Sequence, residues 1–326
     1  MEEILPNLYR IEIPLLDSPL KALNSYLIKG DGRNLIIDTG MNREECQQAM
    51  FSSLKKLQVD LNKTDFFITH FHLDHLSLIE VLATETSKVY LNHEEAHLFH
   101  FGGIGKEPWL KKQFALYRAH GFPEDELVEA SRNNPGLKYG LKRHIDFYPV
   151  KEGDTIQAGD YSFRCLETRG HSPGHTCLYE AKKKVLVSGD HILCDITPNI
   201  AFWSEMEDAL EYYLENLKKV YNLDVDLVLP GHRSIMHNHR KRITELQEHH
   251  RLRLNEIITA LEDGSKTAFD ITPWVSWDID YSSWETFPSS QKRFAVSETM
   301  AHLKYLESQK IIERKTDGQQ IKFSLV

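Results

Sequence analysis

Thr69–His75 reads T-H-F-H-L-D-H, which brings three imidazoles and a carboxylate into one short stretch. Imidazole nitrogen and carboxylate oxygen together form a ligand set for a borderline divalent cation such as zinc. The run directly follows Phe66-Phe67-Ile68, an apolar segment that reads as a buried strand. At the bend after such a strand, His70 and His72 can converge on one ion, while Asp74 and His75, one turn further on, can face a second. In a chain with 17 His, independent placement gives about 0.003 occurrences of H-x-H-x-D-H, so accident is a poor explanation. Structural zinc sites are usually closed by four ligands, often thiolates, and the pattern therefore points to catalysis.

Three later segments repeat the same logic. Thr168–His175 (T-R-G-H-S-P-G-H) follows the strand-like Tyr161–Leu166, Val187–His191 (V-S-G-D-H) ends a run that starts at Val185, and Leu229–His232 (L-P-G-H) ends a run from Val225. Each is an apolar strand delivering His or Asp through a glycine-containing loop, and such loops at strand ends are where sites are usually built. Asp38-Thr39-Gly40 closes an earlier strand in the same way.

The elements that must position these residues can be read from periodicity. Leu8–Ile13, Asn24–Lys29 and Asn34–Asp38 are short and rich in β-branched or aromatic residues. Asn42 is placed to cap a helix with Glu45 reaching back, and Cys46, Ala49, Met50, Leu54 and Leu57 share one helical face. Leu76–Ala83 reads as a helix and Val89–Leu91 as a strand. Residues 93–143 are helical in texture, with Trp109, Phe114, Tyr117 and Leu127 as anchors, and read as an insertion covering something. Strands return at Thr155–Gln157, Tyr161–Leu166, Thr176–Glu180 and Val185–Ser188. A helix follows, marked by Met206, Ala209, Leu210, Tyr213, Leu217 and Val220, and then the strand Val225–Leu229. Strands and a helix, twice over, suit an α/β (α+β) αββα sandwich over residues 1–236. Residues 237–326 add a long helix, Asn238 to Glu262, a second near Ala295–Gln309, and a hairpin around Asp317-Gly318.

Taken together, the motifs resemble the metallo-β-lactamase superfamily, in the family's own order from Asp38 to His232. The resemblance implies two bound divalent ions, zinc first, with iron or manganese as substitutes. It assigns His70, His72 and His171 to the first metal and Asp74, His75 and His232 to the second, with Asp190 bridging both. His175 becomes a hydrogen-bonding support for the ligands and Asp38 a brace for the metal-binding loop. His191 is left between a substrate contact and an exposed residue. The implied chemistry is hydrolysis: a hydroxide shared by the ions attacks a carbonyl or phosphoryl centre, with Asp74 orienting it and taking up its proton. Position 72 is His rather than the glutamate of the oxygen-reducing diiron members. The bridging position is Asp190 rather than a cysteine, which disfavours β-lactam hydrolysis. The ligand set matches glyoxalase II, so a small-molecule thioesterase or esterase leads. A lactonase and an endoribonuclease-type phosphodiesterase are the alternatives.

The C-terminal segment resembles the winged-helix extension of some superfamily members, through F-A-V-S-E-T-M-A-H-L-K-Y-L at Phe294–Leu306. Yet residues 237–326 hold 13 Lys+Arg against 13 Asp+Glu, so this segment is neutral within a chain of net charge −9. A nucleic-acid-reading wing should show a basic face. Binding to nucleic acid, as a nuclease or as a metal-stabilised regulator, is therefore disfavoured. The segment is expected to pack on the helical insertion or to mediate a homodimer contact. Trp274, Trp277, Tyr281, Trp284 and Phe287 read as core in preference to a pocket wall. His93, His97 and His100, like His237, His239, His249 and His250, read as solvated helix faces. No apolar run is long enough to span a bilayer and no secretory leader is visible. With four scattered cysteines (Cys46, Cys165, Cys177, Cys194), these features suggest a cytoplasmic protein acting on a small molecule.

Overall fold

A computed structural model of the chain describes residues 1–16, 18–100, 107–132, 138–206, 208–278 and 281–326. Parts of the expected insertion (101–106 and 133–137) and the side chain of His100 lie outside the described residues. Two sheets form the centre. The first contains β1 (Glu2–Leu5), β2 (Leu8–Pro14), β3 (Ala22–Ile28), β4 (Asn34–Ile37), β5 (Thr64–Phe67), β6 (Val89–Asn92) and β7 (Phe147–Val150), in that spatial order. Its first four strands pair antiparallel and β4 to β7 pair parallel. The second runs β12-β11-β10-β9-β8, from β8 (Thr155–Ala158), β9 (Tyr161–Glu167), β10 (Thr176–Glu180), β11 (Val185–Gly189) and β12 (Leu227–Pro230).

Alternation along the strands assigns each face. Ile37, Phe67, Phe163, Leu178, Val187 and Leu229 meet between the sheets in one apolar cluster. Their neighbours Ile36 and Phe66 point outward onto α1 (Glu44–Lys56) and the short helices α2 (Leu73–Leu76) and α3 (Ile79–Leu82). On the far side, Cys177, Leu186 and Val228 pack under α7 (Ala209–Tyr221) and the long α8 (His239–Ala260). Helix–sheet–sheet–helix layering follows from this period-2 pattern.

Two local expectations are corrected. Asn42 does not cap α1: the helix starts at Glu44 after Arg43, with no side-chain cap. The Asn42 amide instead donates to Glu80 and accepts from Gln47. The single helix expected over Leu76–Ala83 is split, because the Leu78 N–H donates to Gly40 O (2.8 Å) instead of continuing the helical ladder. This bond ties the turn that carries His70–His75 to the loop after β4.

Insertion helices α4 (His93–His100), α5 (Glu107–Ala119) and α6 (Glu124–Arg132) lie between β6 and β7 in the chain. Tyr117, Phe122 and Leu127 of this region share an apolar cluster with Ile257 of α8, Ile271 of α9 (Ala268–Ile271), Val296 and Met300 of α10 (Ser289–Ser308) and Phe323 of the hairpin β13 (Ile312–Asp317)–β14 (Gln320–Leu325). The C-terminal segment is thus packed on the insertion. Trp277 and Trp284 border this cluster and Phe287 is buried, but Trp274 and Tyr281 are about half exposed, so a core reading fails for those two. The histidine expectation also changes: His239 and His250 are buried, not on a solvated face. No helix among the described residues is long and apolar enough to cross a membrane.

Candidate metal centre

The loops that follow β4, β5, β9, β11 and β12 meet at one edge of the sandwich, stitched together across the two sheets. Thr176 N–H donates to Thr69 O (2.9 Å), Gly231 N–H to Gly189 O (2.8 Å) and Asn24 N–H to Gly231 O (2.7 Å). Glycine is required where the loops approach most closely. A Cβ on Gly231 would lie 2.5 Å from Asp190 Oδ1, and one on Gly189, whose φ is +47°, would lie 2.6 Å from His175 Nε2.

Those loops bring His70, His72, Asp74, His75, His171, Asp190 and His232 into one cluster. Their donor atoms group as His70/His72/His171, as His70/His75/Asp190 and as Asp74/His75/His232. Within the first group, His72 Nδ1 is 2.9 Å from His70 Nε2 and 3.0 Å from His171 Nε2. Within the third, His75 Nε2 is 3.3 Å from His232 Nε2, which is 3.4 Å from Asp74 Oδ2. Asp190 stands between them: its Oδ2 is 3.7 Å from His171 Nε2 and 3.5 Å from His232 Nε2, and its Oδ1 is 3.5 Å from His75 Nε2.

Outward hydrogen bonds fix the rings. His75 Nδ1–H donates to Asp38 Oδ2 (2.8 Å), His171 Nδ1–H to Asn199 O (2.8 Å) and His232 Nδ1–H to Ala22 O (2.7 Å). His70 Nδ1 faces Thr69 Oγ1 (3.1 Å), whose hydroxyl donates to Asp38 Oδ2 (2.8 Å). Carbonyl and carboxylate acceptors oblige Nδ1 to carry the proton, so the Nε2 lone pairs point inward. Asp38, held at φ +56°, also accepts the Thr69 N–H (2.8 Å) and so fixes two rings and the turn between them. His175 uses both nitrogens for support, since Nε2 accepts from Asp190 N–H (3.1 Å) and Nδ1 faces Thr168 Oγ1 (2.7 Å).

Electrostatics divide the site. Burial pushes His72 down to about 3 and holds His70 and His171 below their ordinary value, with the neighbouring imidazoles adding to the effect at His70 and His72. Burial acts the same way on His75 and His232, but Asp38 and Asp190 outweigh it at His75, and Asp190 and Asp74 at His232, so both are raised. For Asp74 and Asp190 burial would raise the carboxyl, yet the facing imidazoles hold both below the usual carboxylate range. His70 and His171 both aim Nε2 lone pairs at the one His72 Nδ1 (2.9 and 3.0 Å), which has at most one proton to offer them, so these nitrogens repel unless a cation lies among them, and the buried Asp190 Oδ1 has no hydrogen-bond partner. A donor set of nitrogen and carboxylate oxygen with that unmet demand fits divalent ions.

A family model for the metallo-beta-lactamase superfamily matches residues 20–232. This chain belongs to that superfamily. A protein of Bacillus subtilis named "Probable metallo-hydrolase YqjP" is 25% identical over 91% of this chain and 92% of its own length. Human MBLAC2, named an acyl-coenzyme A thioesterase, is 25% identical over 64% of this chain and 72% of itself. A solved metallo-beta-lactamase family protein of Thermus thermophilus superposes with a TM-score of 0.82 at 28% identity, covering 99% of this chain and all of its own. Those matches establish the superfamily's mixed α/β fold here and make the chain a member of a metallo-hydrolase superfamily.

Three residues around this cluster were not anticipated from the sequence. Glu95 of α4 is fully buried, accepts from Ser172 Oγ and from Gly174 N–H (3.1 Å), and is raised to about 7 by burial, against those hydrogen bonds. Trp203 stacks 6.1 Å from the His72 ring and donates Nε1–H to His171 O (3.2 Å). Glu298 of α10 reaches the site through Asn199. The available signal for Glu298 was its place inside the largely apolar run Ala295–Leu303; Asn199 and Trp203 lie in an irregular loop with no periodicity to read. His191, expected to contact substrate or be exposed, is fully buried between His175 and Tyr213, so the exposed reading is corrected.

Proposed function

We propose that this chain is a dinuclear metal-dependent hydrolase of small-molecule thioesters or esters, with a glyoxalase II-like ligand set. The observation that carries it is Asp190, whose two oxygens face imidazoles of both triads at 3.5–3.7 Å. In this reading His70, His72 and His171 would hold one ion and Asp74, His75 and His232 the other, with Asp190 available to both; zinc suits the donors best. When bound, such ions would supply Lewis acidity for activating water and polarising a carbonyl.

The chain's own groups do the rest. Asp74, half-buried and the least enclosed acid of the set, accepts the proton of the attacking water. Asp38 and Thr69 keep His70 and His75 in the Nδ1–H tautomer, and His175 holds the backbone that carries Asp190. Trp203, partly exposed over His72, forms an apolar wall against which an acyl group lies. The thioester preference is supported by relatives named as thioesterases and by the neutral segment 237–326, which in this reading, winged-helix-like order included, shapes the catalytic half and does not read nucleic acid.

The test is a panel of thioester, lactone and phosphodiester substrates run on one metal-loaded sample, with chelator as control. Chelator-sensitive turnover of the thioester first is expected. Turnover of the phosphodiester alone, with oligonucleotide binding that weakens steeply in salt, would sink the thioesterase reading.

A further inference from the structure

His171 is held by a loop, and that loop is held by the C-terminal helix. Residues 199–203 touch the first triad in three places. Asn199 O accepts His171 Nδ1–H (2.8 Å), Trp203 Nε1–H donates to His171 O (3.2 Å), and the Trp203 ring stacks on His72. The same five residues are pinned to α10. Asn199 Nδ2–H donates to Glu298 Oε2 (2.6 Å), and Phe202 N–H donates to Ser297 O (3.1 Å) and shares Ser297 Oγ at 3.1 Å. Glu298 is itself immobilised: its Oε1 takes Arg253 Nη1–H (2.5 Å), Arg253 Nη2–H donates to Ser276 O (2.9 Å), and the guanidinium lies 4.3 Å over Trp277. Both charged side chains are about 95% buried. A buried, doubly anchored carboxylate ending on the amide of the residue that orients a metal-facing imidazole is a rigid path from one half of the molecule to the other.

We propose that Glu298 is a positioning residue of the first metal triad, acting through Asn199 to fix the Nδ1–H tautomer and direction of His171. The C-terminal segment is then an integral part of the metal centre. This rests on the dinuclear reading above for the identity of what His171 holds, and on the hydrogen-bond path for the rest. Because Asn199 presents its backbone carbonyl to His171 and its side chain to Glu298, Asn199→Ala cuts the path while leaving the Arg253–Glu298 ion pair whole. Glu298→Ala cuts it at the other end but strands Arg253, so Asn199→Ala is the safer variant to fold.

The experiment measures, on the full chain, the affinity of each cobalt(II) equivalent by chelator competition, together with the visible spectrum of the loaded protein and the unfolding midpoint of the metal-free protein. One of the two equivalents should weaken about 10- to 100-fold in Asn199→Ala, with a changed cobalt spectrum. The other should move less than about threefold and the metal-free protein should stay folded. Glu298→Ala, if folded, should match it in cobalt affinity and spectrum though with a lowered unfolding midpoint, because Arg253 is stranded, and the double variant should bind cobalt no worse than either single one, as expected for two points on one path. Wild-type protein binding two equivalents, with Asn199→Ala binding both as tightly and with an unchanged spectrum, would overturn the positioning role alone. Wild-type protein binding less than one equivalent would overturn the dinuclear reading and this inference with it.

Discussion

Among the described residues, two largely buried clusters bring histidine and acid together, and one of them has the makings of a metal centre. At the edge of the sandwich, Asp74 and Asp190 face imidazole nitrogens, and among the described residues no lysine or arginine is paired with either. Under α10, His249, His250 and Glu298 also bring donor atoms within ligand distance of one another. There, however, Arg253 already supplies the positive charge, and both Glu298 oxygens are taken, one by the guanidinium and one by Asn199. His302 donates Nδ1–H to Glu298 O (2.8 Å), which leaves its Nε2 to accept from His250 Nδ1 (3.0 Å). Burial holds His302 near 3 and His250 well below its ordinary value, so both are neutral at pH 7. Proximity of ligand types is therefore a weak criterion. Whether the protein has itself supplied the countercharge decides between a site for an ion and an ion pair.

The contrast can be broken most severely at Asp190. Asp190→Ala should lower turnover by at least about 100-fold and remove roughly one metal equivalent, read by steady-state kinetics and elemental analysis. In the other cluster the loss should be of stability and not of metal. Arg253→Met should cost about 3–5 kcal/mol in chemical denaturation, because Glu298 is left buried and unpaired, and Glu298→Leu added to it should recover much of that. His249→Ala should leave metal content unchanged; loss of an equivalent there would overturn the comparison. Asp38→Asn should weaken metal binding about 10- to 100-fold, since the amide braces His75 and Thr69 less well than the carboxylate.

A separate effect, on the pH dependence of stability, is expected at Glu95. Its folded-state value, about 7 against an ordinary 4.5, means the folded protein holds this proton more tightly than the unfolded chain. Stability should therefore fall as pH rises from about 4.5 to about 7, by at most about 3 kcal/mol, and stay level above. Glu95→Gln, which keeps an oxygen to accept from Ser172 and Gly174, should flatten that slope in denaturation curves taken across the window.

The sandwich and the convergence of the His and Asp donors were legible in the sequence because each is written locally. Alternating residues such as Phe66 and Phe67 assign opposite faces by period alone, and the glycine loops before His171, Asp190 and His232 follow recognisable strands. What failed was non-local. Whether His250 faces solvent depends on α10 arriving 52 residues later in the sequence with His302. The break between α2 and α3 depends on Gly40 O capturing one N–H, and the true partner of Asn42 is Glu80. A charged residue inside a largely apolar helical run, as at Glu298 between Val296 and Met300, was the one readable trace of the path to His171.

Elemental analysis of the freshly purified chain, before and after reconstitution with zinc, decides whether the cluster is a dinuclear site. About two equivalents per chain are expected at saturation, both removable by chelator. Less than one equivalent after reconstitution would rule the site out, because seven converging donors would then be holding no pair of ions.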